Sequence, residues 1–313
     1  MTITTLSVPH PIPYQGSKRA LAPLIIRYFP TKVRLIEPFA GSAAVSLAAA
    51  YHGKAEHIVL NDVNKPLMEL WRMIINEPEQ IVAKYKRLWE NQRGRERQYY
   101  DLVRSEFNKT HHPEDLLYLL ARCVKSAVRY NVYGDFNQSP DNRRRGMNPR
   151  TLLRHVMGAS RLLKGKTRIS AVDFQEVLSS VRRDELVYMD PPYQGVCQNN
   201  DPRYVMGMDS NRFIKSLLSL NDRGISYIVS YDGRTGSKRH GKLLPANLDL
   251  THIEIEAGRS TQETLLGRKT TTFESVYLSP ALVQRIGNPQ KAKQVAISLG
   301  FCSDSAEVAE GIP

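Results

Sequence analysis

Val33-Arg34-Leu35-Ile36-Glu37-Pro38-Phe39-Ala40-Gly41-Ser42 is the stretch that decides the fold. Its first five residues form a short apolar run that Pro38 and Gly41 bring to a stop, the pattern of a buried strand. Ser42 to Tyr51 is rich in Ala, Val and Leu and reads as the helix that follows. His57-Ile58-Val59-Leu60 then supplies a second strand, closed by Asn61-Asp62. Strand, helix, strand within this span is a βαβ unit, which predicts a parallel sheet with helices on its faces.

Working outward, strand-like runs return at residues 167–171, 185–189, 226–230, 250–255 and 272–278, the last two suited to an antiparallel hairpin at the sheet edge. Between Lys65 and Lys164 the pattern changes. Leu67 to Ile75, Ile81 to Leu88 and Leu116 to Tyr130 carry helical periodicity, and Pro78 and Pro113 sit where helices begin. Asn131 to Pro149 holds Gly134, Pro140, Asn142 and Gly146 and reads as a loop or hairpin. The expected organisation is an α/β domain built from residues 1–64 and 167–286. An inserted helical lobe spans 65–166, with a hairpin near 131–149, and 287–313 form a C-terminal tail.

The chain has 313 residues, of which 41% are hydrophobic, enough for one large domain with an insertion. A formal net charge of +13 and a pI near 9.6 point to a polyanionic partner. The charge is concentrated: twelve Lys/Arg against two acids lie between Arg122 and Arg168, a net +10. Tyr130, Asn131, Tyr133, Phe136, Asn137 and Gln138 interleave with it, and Arg143-Arg144-Arg145 sits in the Gly/Pro-rich loop. Cations bind phosphates and release counterions, while amides and guanidinium groups can read base edges.

Cys123, Cys197 and Cys302 form no Cys-x-x-Cys pair and no zinc spacing, so reduced thiols and no metal are expected. Met1 to Pro13 lack the charged start and apolar run of a secretory signal. No apolar stretch approaches the roughly 20 residues that span a bilayer. The expected location is cytoplasmic, with no membrane partner.

Three segments carry chemistry. Asp190-Pro191-Pro192-Tyr193 follows an apolar strand, so it falls at a carboxyl end, where open α/β sheets hold ligands. Two prolines stiffen the loop, Asp190 can accept from an amine, and Tyr193 can stack on a purine. Glu37 to Ser42 forms a small-residue turn that lets backbone amides approach a ligand, and Asp62 is placed to accept from ribose hydroxyls. Asp173-Phe174 reads equally as an adenine-binding pair and as a helix N-cap beside a core aromatic.

The order of the pieces is the more specific signal. Tyr14-Gln15-Gly16-Ser17-Lys18, Glu37-Pro38-Phe39-Ala40-Gly41, Asn61-Asp62, the basic insertion, Asp173-Phe174 and Asp190-Pro191-Pro192-Tyr193 follow one another in an arrangement that resembles the Dam-like (alpha-type) DNA adenine-N6 methyltransferases, from about Pro13 to Pro280. The resemblance implies a Rossmann-like, S-adenosylmethionine-dependent methyltransferase sheet with an inserted helical DNA-recognition lobe. It implies methyl transfer from S-adenosylmethionine to N6 of adenine in double-stranded DNA by base flipping. It implies that Tyr14, Lys18, Phe39, Ala40, Gly41, Asp62, Asp173, Phe174 and Asp190 bind the cofactor. Asp190, Pro191, Pro192 and Tyr193 would act on the target adenine. Arg129, Tyr130, Asn131, Phe136 and Asn137 look like the family's DNA-recognition hairpin, with Arg143, Arg144 and Arg145 on phosphates. A monomer is expected, and a cognate restriction endonuclease is an admissible partner.

Two positions depart from the family pattern: Ala43 stands where a second glycine is common, and Pro13 where a lysine is common. Target specificity therefore cannot be borrowed. A cytosine-C5 mechanism is excluded, because no cysteine follows a proline. An N4-cytosine or RNA enzyme, a silent DNA-binding protein and an NAD-dependent oxidoreductase are the competing readings. The last lacks the glycine fingerprint.

Overall fold

The computed structural model describes residues 7–192, 209–235, 238–239, 243–259 and 271–287. Tyr193 and the expected tail beyond Gly287 lie outside the described residues. The sheet contains β1 (Val33–Glu37), β2 (Ala55–Asn61), β3 (Thr167–Ser170), β4 (Leu186–Met189), β5 (Ser226–Thr235), β7 (Thr251–Arg259) and β8 (Thr271–Leu278), in the order β3-β2-β1-β4-β5-β8-β7. A two-residue β6 (Lys238–Arg239) pairs with the end of β5. β3, β2, β1, β4 and β5 run parallel, and β8 is antiparallel to both β5 and β7. The last two long strands do pair antiparallel as expected; β8 lies inside and β7 forms the edge.

The chain leaves β1 in one direction and returns at β4 to build in the other. The gap between β1 and β4 is thus the point where the strand order reverses, and ligand crevices open at such points.

Strand alternation assigns the two faces. Val33, Leu35, Leu186 and Tyr188 join one core, while Ile36, Val187 and Met189 join the other. The second face is covered by α8 (Phe174–Ser179) and α9 (Ser210–Asp222). The first is covered by α1 (Ala22–Ile25), α2 (Ala44–Tyr51) and α10 (Pro280–Ile286), and its core runs on without a break into five helices between β2 and β3. These are α3 (Lys65–Asn76), α4 (Pro78–Asn91), α5 (Glu96–Thr110), α6 (Pro113–Arg122) and α7 (Pro149–Leu163). Trp71, Tyr85, Tyr100, Phe107 and Tyr118 are fully buried among them, each contributing about 2–3 kcal/mol of apolar burial.

Asn64, with Pro66 in the first turn, starts α3; Pro78 and Pro113 open α4 and α6; Asn148, Asp173, Asp209 and Ser279 cap α7, α8, α9 and α10. α5 was not expected from the sequence. Its buried Tyr100, Val103 and Phe107 have helical spacing, but charged residues surround them.

The helix expected to run from Leu116 to Tyr130 is corrected. It ends at Arg122: Cys123 is extended, and Lys125 and Ser126 take positive φ of 59° and 52°. The segment beyond it pairs instead with the hairpin, through bridges Cys123–Pro140 and Tyr130–Phe136. No helix among the described residues is long and apolar enough to cross a membrane.

Candidate active site

A cleft of about 200 Å³ opens over the carboxyl ends of β1, β2 and β4. Its walls include Tyr14 and Lys18 from the N-terminal segment, Glu37 to Ser42 after β1, and Asp62 to Asn64 after β2. Asp173 and Phe174 at the start of α8, Asp190, Pro191 and Pro192 after β4, and Asp209 and Arg212 at α9 complete it. Residues separated by more than 170 positions thus meet in one site.

The turn after β1 is held by its neighbours. Gly41 has φ of +47°, and a Cβ there would lie 3.2 Å from Tyr14 Cε1. Its carbonyl accepts from Trp71 Nε1 at 2.9 Å, and its N–H donates to Asp62 Oδ2 at 3.1 Å. Asp62 Oδ1 accepts from the Asn64 N–H at 2.9 Å. Burial raises the Asp62 pKa, and these two N–H groups pull against that rise. Ala43 occupies a left-handed conformation at φ +48°, one that the glycine common at this place in the family adopts at less cost.

Asn61 is fully buried and fully hydrogen-bonded. Its amide donates to the carbonyls of Pro38 and Val172 at 3.1 and 3.0 Å, and its oxygen accepts from Ser170 Oγ and the Val172 N–H at 2.7 and 3.0 Å. It therefore fixes the loops after β1 and β3 to the end of β2.

The Asp173 side chain caps α8, accepting from the Gln175 N–H at 2.9 Å, and also takes Arg212 Nη2 at 3.2 Å. Phe174 is buried, 5.2 Å from the Phe39 ring. Asp173 is thus the N-cap of α8, and both residues also line the cleft.

Glu37 is buried, accepts from Ser46 Oγ, and has its carboxyl pushed up to about 8, by burial first and by the charges of Asp190 and Asp62 as well. Lys18, only 8% exposed, lies 2.8 Å from Asp190 Oδ1 and 3.1 Å from Glu274 Oε1 on β8. Burial lowers its pKa, but the two carboxylates outweigh that and leave it raised. Glu274 was missed in the sequence, although a signal existed: strand alternation puts it on the same face as Val276 and Leu278, both fully buried. An acid on an apolar strand face needs a partner.

The basic hairpin is rooted beside the cleft. Val128 lines it, the Gln15 N–H donates to the Ser126 carbonyl at 3.0 Å, and Tyr130 OH reaches Asn64 Oδ1 at 3.4 Å. Two expectations are corrected here. Tyr130 and Phe136, read as DNA-facing, are 8% and 1% exposed and pack edge to face, so they hold the hairpin from inside. Asn131 spends its side chain on the turn, accepting from the N–H groups of Tyr133 and Asp135 and donating to Asp135 Oδ2.

The tip presents two residues the sequence reading did not single out as site residues, Val132 and Tyr133, at 93% and 87% exposure. Asn137 is exposed, and Arg129 is half-buried with its Nε lacking a hydrogen-bond partner among the described residues. Arg143, Arg144 and Arg145 are exposed; the first two pair with Asp141 and the third with Glu96.

The cleft is suited to a cationic ligand with an aromatic part. Four carboxyl groups (Asp62, Asp173, Asp190, Asp209) border it against two cations, Lys18 and Arg212, and Glu37 adds a fifth that burial keeps largely protonated at neutral pH. Phe39 and Phe174 bring aromatic rings to its wall, and the buried Nδ2 of Asn64, also at its wall, has no hydrogen-bond partner among the described residues. Parallel strands that reverse order at an acidic cleft, closed by an antiparallel edge, define a Rossmann-like α/β protein of the methyltransferase type.

The family model described as D12 class N6 adenine-specific DNA methyltransferase matches residues 14–261, and the chain belongs to that family. It is 26% identical over 230 residues to the DNA N-6-adenine-methyltransferase of Escherichia phage P1, covering 70% of this chain and 29% of the phage protein. It is 29% identical over 188 residues to the Retron Ec67 DNA adenine methylase of Escherichia coli, covering 58% of this chain and 62% of the relative. A Type II methyltransferase of Methanocaldococcus jannaschii is 25% identical over 214 residues, covering 63% and 73%. The chain thus spans less than two thirds of the length of the first two of these relatives. Among solved structures, an rRNA methylase from Streptococcus thermophilus aligns at 8% identity with a TM-score of 0.35, covering 84% of this chain and 97% of that one.

Proposed function

We propose that this protein transfers a methyl group from S-adenosylmethionine to the exocyclic N6 of adenine in double-stranded DNA, acting on a base flipped out of the helix. The observation that carries the reading is the single cleft bordered by Asp62, Phe39, Phe174 and Asp190, with the root of the basic hairpin at its rim. S-adenosylmethionine, when bound, supplies an electrophilic methyl group on a sulfonium cation. The acidic lining fits that charge. Tyr14, Lys18, Phe39, Ala40, Gly41, Asp62, Asp173 and Phe174 are the residues that would hold it.

The adenine amine is a poor nucleophile, because its lone pair is delocalised into the ring. Asp190 and the carbonyl of Pro191 accept hydrogen bonds from it, favour a tetrahedral nitrogen and stabilise the positive charge it develops. Pro192 keeps this loop rigid, and Tyr193 stacks on the flipped ring. Arg143, Arg144 and Arg145, whose guanidinium groups stay exposed while they pair with Asp141 and Glu96, hold phosphates. Arg129 and Asn137 reach the duplex from the hairpin, with Tyr133 at its tip. The protein acts as a monomer in the cytoplasm, and a cognate restriction endonuclease fits the Type II name carried by the M. jannaschii relative.

The test is incubation with unmethylated genomic DNA and S-adenosylmethionine, followed by long-read mapping of modified bases. N6-methyladenine in one recurring motif is expected, and Asp190→Ala should abolish it while cofactor binding largely survives. Methylation at N4 of cytosine, or near-normal activity of D190A, would overturn the assignment.

A further inference from the structure

Asp190 does not face the cleft alone. The Lys18 ammonium sits 2.8 Å from the same carboxylate that the target amine must engage. The inference below rests on the proposed adenine-N6 methyl transfer. In that reaction Asp190 works as a negative charge beside a nitrogen becoming positive, and a cation this close cancels much of that field. Lys18 is also buried, so it cannot turn into solvent when the amine arrives. A buried cation that gives up its partner is costly unless a second one is at hand.

Glu274 is at hand. Its Oε1 lies 3.1 Å from Lys18 Nζ, and it comes from β8, a strand that carries none of the cleft-lining residues. With Glu274 present, the group of Asp190, Lys18 and Glu274 carries net negative charge; without it, the group is neutral. Glu37 does not supply the missing charge at neutral pH, since burial pushes its carboxyl up to about 8. Tyr188, on β4 beneath the group, donates to or accepts from Ser230 Oγ at 2.9 Å and stays neutral.

We infer that Glu274 is a positioning residue for methyl transfer: it takes Lys18 away from Asp190 when the target amine binds, and keeps the net negative charge that the reacting nitrogen requires. The position of Lys18 between two carboxylates on two different strands is the geometry such a hand-over needs. Glu274 itself is not required to touch substrate or cofactor.

The experiment is single-turnover methylation of a saturating duplex by wild type, Glu274→Gln, Glu274→Asp and the double variant Lys18→Met/Glu274→Gln, with cofactor and DNA dissociation constants measured alongside. E274Q keeps the size of the side chain and an acceptor for Lys18 but removes the charge. The expected result is a transfer rate reduced roughly ten- to a hundredfold, with both dissociation constants within about twofold of wild type. E274D should recover part of the rate. At saturating cofactor the double variant should transfer faster than E274Q, because the uncompensated cation has gone, although the loss of Lys18 weakens cofactor binding.

E274Q at the wild-type rate would overturn the inference, and so would an E274Q rate loss that tracks lost cofactor binding or a double variant slower than E274Q at saturating cofactor. Wild type that methylates no adenine would remove the underlying reading, and the inference with it, an outcome distinct from an active wild type with an indifferent Glu274.

Discussion

The backbone N–H of Gly41 donates to Asp62 Oδ2 at 3.1 Å, so the turn after β1 is tied directly to the end of β2. Asp62 also accepts from the Asn64 N–H, and each of its oxygens keeps a lone pair for a ligand. Asp62→Asn preserves shape but turns an NH₂ group toward one of these N–H donors. The expected outcome is a loss of about 1–3 kcal/mol in urea unfolding and a cofactor affinity at least about tenfold weaker by calorimetry. Unchanged affinity would remove Asp62 from the cofactor site.

Asn61 makes four hydrogen bonds to the loops after β1 and β3 from a fully buried position. Asn61→Ala leaves two carbonyls, a hydroxyl and an N–H to find new partners. Stability should fall by about 3 kcal/mol or more, and amide exchange should quicken at Val172. A loss below about 1 kcal/mol would mean that the loops re-pair without it.

Glu37 gives a pH prediction with a definite sign. Its carboxyl is raised from 4.5 to about 8 by burial in the folded chain. Between those values the folded chain keeps a proton that the unfolded chain has released. Stability from this group is therefore full below the unfolded value and declines as pH rises toward 8. Glu37→Gln stays neutral throughout and escapes the decline. The stability gap in favour of E37Q should widen from pH 5 to pH 8 and then level off, read by urea unfolding across that range. A gap independent of pH would contradict the raised carboxyl.

Arg143, Arg144 and Arg145 present exposed guanidinium groups from the loop before α7. Replacing all three with Gln should weaken binding to every duplex alike. Fluorescence anisotropy across a salt series should show the log–log slope reduced by about 2–3. If the slope holds and only one sequence loses affinity, these side chains read bases instead of phosphates.

Much of the arrangement was legible in the chain itself. Apolar runs ending at Glu37, Asp62 and Asp190 placed three acids at strand ends, because a short buried strand announces its own boundary through the residues that stop it. Prolines at positions 78 and 113 marked helix starts for a similarly local reason.

The misses share one physical cause. Whether an aromatic ring in a hairpin points inward or outward depends on what lies beneath it, and Tyr130 and Phe136 lie over Asn64 and Phe107, far away in sequence. The stretch after Arg122 leaves the helix because it finds partners at Pro140 and Phe136, contacts that periodicity cannot register.

The sequence by itself determined the strands, the acids that end them and the place of the positive charge, since these follow from local patterning and composition. Tertiary structure alone decided that Lys18 stands between Asp190 and Glu274, that Asn61 clamps two loops, and that Val132 and Tyr133 form the hairpin tip. Those are pairings across strands and lobes, fixed by how the two cores pack and not by any neighbour along the chain.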